Sequence, residues 1–295
     1  MRPLDMMSKT THKMPDAPIE VPLGPRTSVL VVTRDCADAL RRCLAALEAS
    51  VPREAIEITV VDNGSRDGSA QLDGEFPGAN FLRLPKNFGY TKAANIGIRG
   101  AKGEYVFLLP PTIEVAPDTV AKLTARMDAE AELGAVCPAP ASAYPLPSPE
   151  QLYAEWKGRT GLQEVPAGAA AVYVRDSAIL VRRTFLAGMR NFDPRYGDFG
   201  AQLDLCRQLR NAGKKLAVLP EVRVQRNPAL AGEGGTVDTA DRLNGIAAYA
   251  GKYHGFGSAF KIRLGAALSS LFGFRFGVLS GILGGQKIDG DQPGA

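Results

Sequence analysis

The chain has 295 residues, 45% of them hydrophobic, which is enough for one large α/β domain with additions and too apolar for global disorder. Lys and Arg (35) barely exceed Asp and Glu (31), giving a formal charge of +4, too mild to argue for nucleic acid, and no motif of that class is present. With two histidines (His12, His254) and four cysteines (Cys36, Cys43, Cys137, Cys206) lacking any CxxC, a histidine base is all but excluded. Neither a zinc site nor a disulfide framework is supported, and buried thiols in a reducing compartment are the default.

Residues 1–26 are charged and Pro-rich without an apolar core, so they read as a flexible leader and not as a signal peptide. TSVLVVT, from Thr27, is a β-branched apolar run that predicts a strand buried on both faces. Leu40, Leu44 and Leu47 then recur at helical spacing. A second buried strand is predicted from Ile56 to Val61, ending in the polar turn Asp62-Asn63-Gly64-Ser65. NFLRL predicts a third strand, GYTKAANIGIRGA a helix, EYVFLL a strand, PDTVAKLTARMDAE a helix with Pro117 at its start, and GAVCP a further strand.

Residues 138–168 shift to Pro, Ala and Ser and hold the only tryptophan, Trp156; they read as a mobile excursion over the site. VYVRDSAILVRR predicts two strands around a turn, and LDLCRQLRNAGKKLAVLP a helix ending near Gly213 before a strand. Alternation of strand and helix predicts a doubly wound, mostly parallel α/β sheet over residues 27–255. Ligands of such sheets bind beyond the carboxyl ends of the strands, which points to Thr33–Asp35, Asp62–Ser65 and Pro110–Thr112.

Residues 256–295 stand apart. Lys261, Arg263, Arg275 and Lys287 interrupt apolar runs with no acid between Phe260 and Lys287. Arg275 and several glycines break the stretch, so a basic amphipathic tail lying on a membrane surface is expected instead of a span of about 20 residues. A helix packed on the main domain or on a second copy is the alternative.

Taken in order, TSVLVVTRD, ITVVDNGSRDGS, LPKNFGYTKAANIGIRGAKGEYVFLL, FDPRYGDFGAQLDLC and NAGKKLAVLPEVRV resemble the blocks of family-2 glycosyltransferases of GT-A fold, nearest the rhamnosyltransferase-like group of bacterial surface polysaccharides. The resemblance covers Thr27 to Arg226. It implies a nucleotide-sugar donor cradled by Thr33, Arg34 and Asp35, by Asp62, Asn63 and Ser65, and by Asn87, Gly89, Lys92 and Asn95, with the diphosphate at a helix N-terminus. Asp62 as a plain turn or cap residue, and Asn87 and Gly89 as turn chemistry, are the structural alternatives.

Three departures fall where the resemblance puts the chemistry. The family's strand ends in an acidic motif that ligates Mg2+ or Mn2+; Pro110, Pro111 and Thr112 stand there, and a neutral hydroxyl is a poor ligand for a hard cation. No cofactor is therefore expected unless Glu114 or another carboxylate substitutes. The family's Glu-Asp-X-Asp base motif reads Ala201, Gln202, Leu203, Asp204, leaving Asp198 and Asp204 as displaced candidates. Arg226 occupies the place of a common histidine and can neutralise a diphosphate without a metal.

The resulting expectation is a cytoplasmic protein that binds a nucleotide sugar in surface-polysaccharide assembly with impaired catalysis. Its partners would be another glycosyltransferase, a second copy, or the inner leaflet of the membrane, and not nucleic acid. An active metal-independent inverting transferase using Arg226 and a displaced carboxylate, and a scaffold with no ligand, are the alternatives.

Overall fold

The computed structural model describes residues 24–159, 162–165, 173–227, 236–285 and 288; the leader up to residue 23, His12 and Lys287 lie outside them. In chain order the strands are β1 (Thr27–Thr33), β2 (Ile56–Asp62), β3 (Ala79–Arg83), β4 (Tyr105–Leu108), β5 (Ile113–Val115), β6 (Leu133–Ala139), β7 (Ser142–Tyr144), β8 (Tyr173–Arg175), β9 (Ile179–Arg182) and β10 (Lys215–Arg226). The helices are α1 (Ala37–Glu48), α2 (Tyr90–Gly100), α3 (Thr119–Ala129), α4 (Pro149–Trp156), α5 (Arg183–Gly188), α6 (Ala201–Asn211), α7 (Thr236–His254), α8 (Phe256–Phe272) and α9 (Phe276–Leu283).

Eight strands form one sheet in the order β3-β2-β1-β4-β9-β6-β10-β5. The β3-β2-β1-β4 half is parallel, β9 runs antiparallel between β4 and β6, and β5 is antiparallel to β10. Period-two alternation sends successive side chains into two separate cores. In β1, Val29 and Val31 join Leu40 and Leu44 of α1, while Leu30 joins Ala93, Ala94 and Ile98 of α2. In β4, Tyr105 and Phe107 share the first core with Leu123 and Met127 of α3, and Val106 and Leu108 face the second. Strands of this kind carry apolar residues at nearly every position because both faces are covered. Helix α2 approaches the sheet closely: a Cβ on Gly97 would sit 2.2 Å from Leu30 Cδ1.

Two segments differ from their sequence expectation. Within 138–168 the structure forms β7, paired with β8, and α4, whose N-terminus is a capping box between Ser148 and Gln151. Leu152 of α4 is fully buried and Trp156 donates its indole N–H to the carbonyl of Thr239 at 2.9 Å. The capping signature outweighs the Pro-rich composition, and α4 lies against α7. The tail, expected as a single stretch, is a helical pair, α8 and α9, joined through Gly273–Arg275 and packed on α7. Among the described residues no helix is long and apolar enough to cross a membrane.

Candidate functional site

Beyond the carboxyl ends of β1 and β4 lies a cleft of about 580 Å3. Leu30 and Val32 of β1 form its floor, and Pro110, Pro111 and Thr112 follow β4 along one side. Arg226 enters from the end of β10. Arg175 and Asp176 come from the β8–β9 turn, Asp198 to Leu203 from the approach to α6, Tyr90 from the start of α2, and Arg242 from α7.

Local pairing explains the Arg226 placement. The antiparallel β5–β10 ladder sets Arg226 opposite Ile113, and Asn227 donates its backbone N–H to the carbonyl of Thr112 at 3.0 Å. A turn closed by the Ile113 N–H on the Pro110 carbonyl, 3.1 Å, carries the chain from β4 into β5. The Arg226 side chain is exposed and makes no hydrogen bond or ion pair among the described residues. It lines the cleft with Thr112 and carries a permanent charge.

The residues that follow β4 do not fit a divalent cation. Pro110 and Pro111 have no side-chain donor, Thr112 has only a neutral hydroxyl, and hard cations take carboxylate and carbonyl oxygens. Glu114, the substitute the sequence offers, is ion-paired to Arg42 of α1 at 3.3 Å and does not line the cleft. Among the described residues no group of three or more His, Cys, Asp or Glu side chains could hold a metal.

Ala201 and Gln202 line the cleft at the positions where the sequence comparison expects a base. Ala201 has no titratable group, and Gln202 donates Nε2–H to the carbonyl of Ser177 at 2.7 Å. Asp204 lies elsewhere: it is 1% exposed and its carboxylate accepts from Tyr196 Oη at 2.9 Å, Gln208 Nε2 at 2.8 Å, Tyr253 Oη at 2.6 Å and Lys252 Nζ at 2.8 Å. It ties α6 to α7 and is a structural carboxylate. Asp198 does line the cleft, but its Oδ1 accepts the Tyr90 backbone N–H and caps α2.

That cap corrects one expectation. The first amides of α2, offered by the sequence to a diphosphate, are already taken: Tyr90 by Asp198 and Thr91 by the carbonyl of Gly197 at 3.1 Å. Asn95 locks the same segment, donating Nδ2–H to the Phe192 carbonyl at 2.7 Å and accepting the Phe192 N–H at 2.9 Å. Lys92 is half-buried in the first turn of the helix. At Gly89, with φ +78°, an added Cβ would lie 3.3 Å from Asp198 Oδ1 and 3.2 Å from the Ile288 carbonyl, so only glycine fits without strain.

The ends of β1 and β2 form a hydrogen-bonded knot next to the cleft. Asp62, 3% exposed, accepts the Ser65 N–H at 2.9 Å as an Asx turn. Asn63 donates to Asn87 Oδ1 at 2.9 Å, and Asn87 Oδ1 accepts the Gly89 N–H at 2.9 Å. Thr33 is buried with its hydroxyl 3.0 Å from Cys36 Sγ. Asp35, at φ +48°, donates its backbone N–H to Ser65 Oγ at 3.0 Å, accepts the Arg66 N–H at 2.7 Å and pairs with Arg34 at 3.5 Å. Of the sequence-expected donor residues, Thr112 and Arg226 line the cleft itself, and the others form this adjoining rim and the α2 junction.

Four cleft residues had no signal strong enough to single them out. Arg175 and Arg242 converge on Glu155 of α4: Arg175 Nη2 lies 2.8 Å from Oε2 and Arg242 Nη2 3.8 Å from it. Burial raises the Glu155 carboxyl, but Arg175, with Arg242 behind it, holds it below the ordinary carboxylate value. Tyr90 has its phenol pushed well up, by burial first and then by the facing charges of Asp176 and Asp198. Asp176 has left-handed backbone, φ +46°, and its carboxylate makes no hydrogen bond or ion pair among the described residues. A short strand–RDS–strand pattern hints at that turn, but only the cross-chain packing brings it to the cleft.

Comparison with known proteins agrees with this fold. The family model described as glycosyl transferase family 2 matches residues 28–186. An N-acetylglucosaminyltransferase of Sinorhizobium fredii is 28% identical over 201 residues, covering 62% of this chain and 48% of that protein. The succinoglycan biosynthesis protein ExoO of Rhizobium meliloti is 29% identical over 109 residues, covering 36% and 30%. The chain thus spans about half, or less, of the length of these relatives. The mannosyltransferase PcManGT of Pyrobaculum calidifontis, solved in complex with GDP-Man and Mn2+, superposes with a TM-score of 0.57 at 17% identity, over 89% of this chain and 86% of that one. At that identity the likeness is one of fold, a GT-A-like mixed sheet flanked by helices.

Proposed function

The chain belongs to glycosyl transferase family 2, and from that membership we propose that it binds a nucleotide sugar in the cleft without a divalent cation, in bacterial cell-surface polysaccharide assembly. Transfer through the family's usual base is impaired in this reading. One observation carries it: the cleft wall presents Arg226 beside Thr112, without a side-chain partner among the described residues, and presents Ala201 and Gln202 where a carboxylate would be needed. Cations of either kind can neutralise a diphosphate, and a guanidinium does so with a planar set of N–H donors. Support also comes from the fold neighbour solved with GDP-Man and from relatives named for N-acetylglucosaminyl transfer and succinoglycan biosynthesis. The protein would work in the cytoplasm as a donor-holding companion to an active transferase or to a second copy of itself.

A second reading is favoured by Asp176, whose carboxylate on the cleft wall has no partner among the described residues. In an inverting transfer it would take the proton of the acceptor hydroxyl as that oxygen bonds the anomeric carbon. The bond from that carbon to the diphosphate breaks with its electron pair going to the diphosphate, beside Arg226. This reading makes the protein an active, metal-independent transferase.

The test is thermal shift with UDP-, GDP- and dTDP-sugars, with and without Mn2+, followed by nucleoside-diphosphate release. Stabilisation by one donor class, unchanged by EDTA and with negligible release, is expected. Metal-dependent turnover would overturn both readings. No stabilisation by any donor would leave a scaffold with no ligand.

A further inference from the structure

Every exposed large hydrophobic side chain among the described residues, apart from Val51, belongs to α8, α9 or the turn between them. Along α8 the exposed set runs Phe256, Phe260, Leu264, Leu268 and Phe272, one face at a spacing of four. Its buried set, Ile262, Ala266 and Ser270, is offset by two residues and so occupies the opposite face, against the body of the protein. A helix apolar on both sides has one face too many for a water-exposed surface.

The turn concentrates the effect. Phe272, Phe274 and Phe276 are 78%, 80% and 58% exposed, and the left-handed backbone of Phe274, φ +54°, turns the chain there. The charges of this helical pair are cations only: Lys261, Arg263 and Arg275 are exposed, and residues 256–285 contain no Asp or Glu. A twofold contact between copies would set this patch on itself, bringing like charges together with no acid from the patch to pair them. An anionic bilayer surface supplies both missing partners, hydrocarbon for the aromatic rings and negative headgroups for the guanidinium groups.

We propose that α8, α9 and their Phe-rich turn form a monotopic anchor that lies in the interface of an anionic lipid bilayer. The helix α8, about 25 Å long from its rise per residue, lies along the surface instead of crossing it, and the three phenylalanines of the turn insert. This surface is separate from the cleft, so the anchor and the donor reading can fail independently. The pair is nonetheless fixed to the site, because α7, on which both helices pack, supplies Arg242 to the cleft.

The experiment is flotation of the full-length protein with vesicles of phosphatidylcholine alone and of phosphatidylcholine with phosphatidylglycerol. The anchor predicts recovery with the anionic vesicles and much less with the neutral ones. The triple variant Phe272→Ser, Phe274→Ser, Phe276→Ser, whose side chains are already exposed and do not support the fold, should stay in the soluble fraction. Neutralising Arg263 and Arg275 to Gln should cost about fivefold in partitioning per charge, and only toward the anionic vesicles. Wild-type protein left in solution with the anionic vesicles overturns the proposal. So does a stable dimer in light scattering that the triple variant converts to monomer while vesicle recovery is unchanged.

Discussion

Asn227 donates its backbone N–H to the carbonyl of Thr112 at 3.0 Å, which fixes Arg226 beside Thr112 on the cleft wall. In the proposed reading, the β5–β10 pairing holds a guanidinium, attached to the scaffold itself, where it can meet a diphosphate.

Replacing Arg226 with Ala should weaken binding of a nucleoside diphosphate by about ten- to a hundredfold, the span for losing a charge-assisted hydrogen bond. Binding of the bare nucleoside should change little, because the lost partner faces the diphosphate. Calorimetry in EDTA measures both. An R226A protein that binds as tightly as wild type removes this arginine from the donor site.

Gln202→Glu returns a carboxylate of nearly the same shape to the cleft wall. Donor cleavage should rise at least about tenfold, toward the hundredfold or more that a positioned base supplies. Asp176→Asn separates the two readings of the wild-type protein. Loss of residual turnover in D176N, with donor affinity kept, favours the active enzyme; no change favours the impaired one. Nucleoside-diphosphate release in a coupled assay is the readout.

Asp204→Asn should lower stability by about 3 kcal/mol in urea denaturation, since it breaks a nearly buried pair with Lys252 and weakens the two tyrosine hydrogen bonds. Donor affinity should not move. A large effect on binding with intact stability would restore Asp204 to the list of site residues.

Acid should loosen the contact between α4 and the cleft residues Arg175 and Arg242. Glu155 has its folded carboxyl below the ordinary 4.5 because Arg175 and Arg242 outweigh its burial. A depressed folded value contributes stability above 4.5 that is lost as pH falls through the folded value. Glu155→Gln should therefore flatten the fall of the thermal midpoint between about pH 5 and pH 3. Equal slopes in wild type and E155Q would show that other carboxylates set the acid limb.

Much of the fold was legible because burial on both faces writes itself as uninterrupted apolar runs. TSVLVVT, ITVV and YVFL became β1, β2 and β4 in the parallel half, and the spacing of Leu40, Leu44 and Leu47 became the buried face of α1. The short strand β5 and the long helix α7 were missed. Three residues are too few for a period, and α7 follows residues outside the described set with little amphipathic contrast in its own sequence.

The site divides along the same line. Local sequence alone determined the chemistry available at Pro110, Pro111, Ala201 and Gln202, since no packing can turn any of them into a carboxylate. It also determined the Asp62 and Asn63 turn, whose hydrogen bonds reach only a few tens of residues along the chain. Tertiary structure decided the rest: that Asp204 is buried under Lys252 and two tyrosines, that Asp198 and Gly197 occupy the amides of α2, and that Asp176, Arg175 and Arg242 face the cleft. A side chain's chemistry is a property of one residue, whereas its role depends on which distant donors and charges the folded chain sets around it.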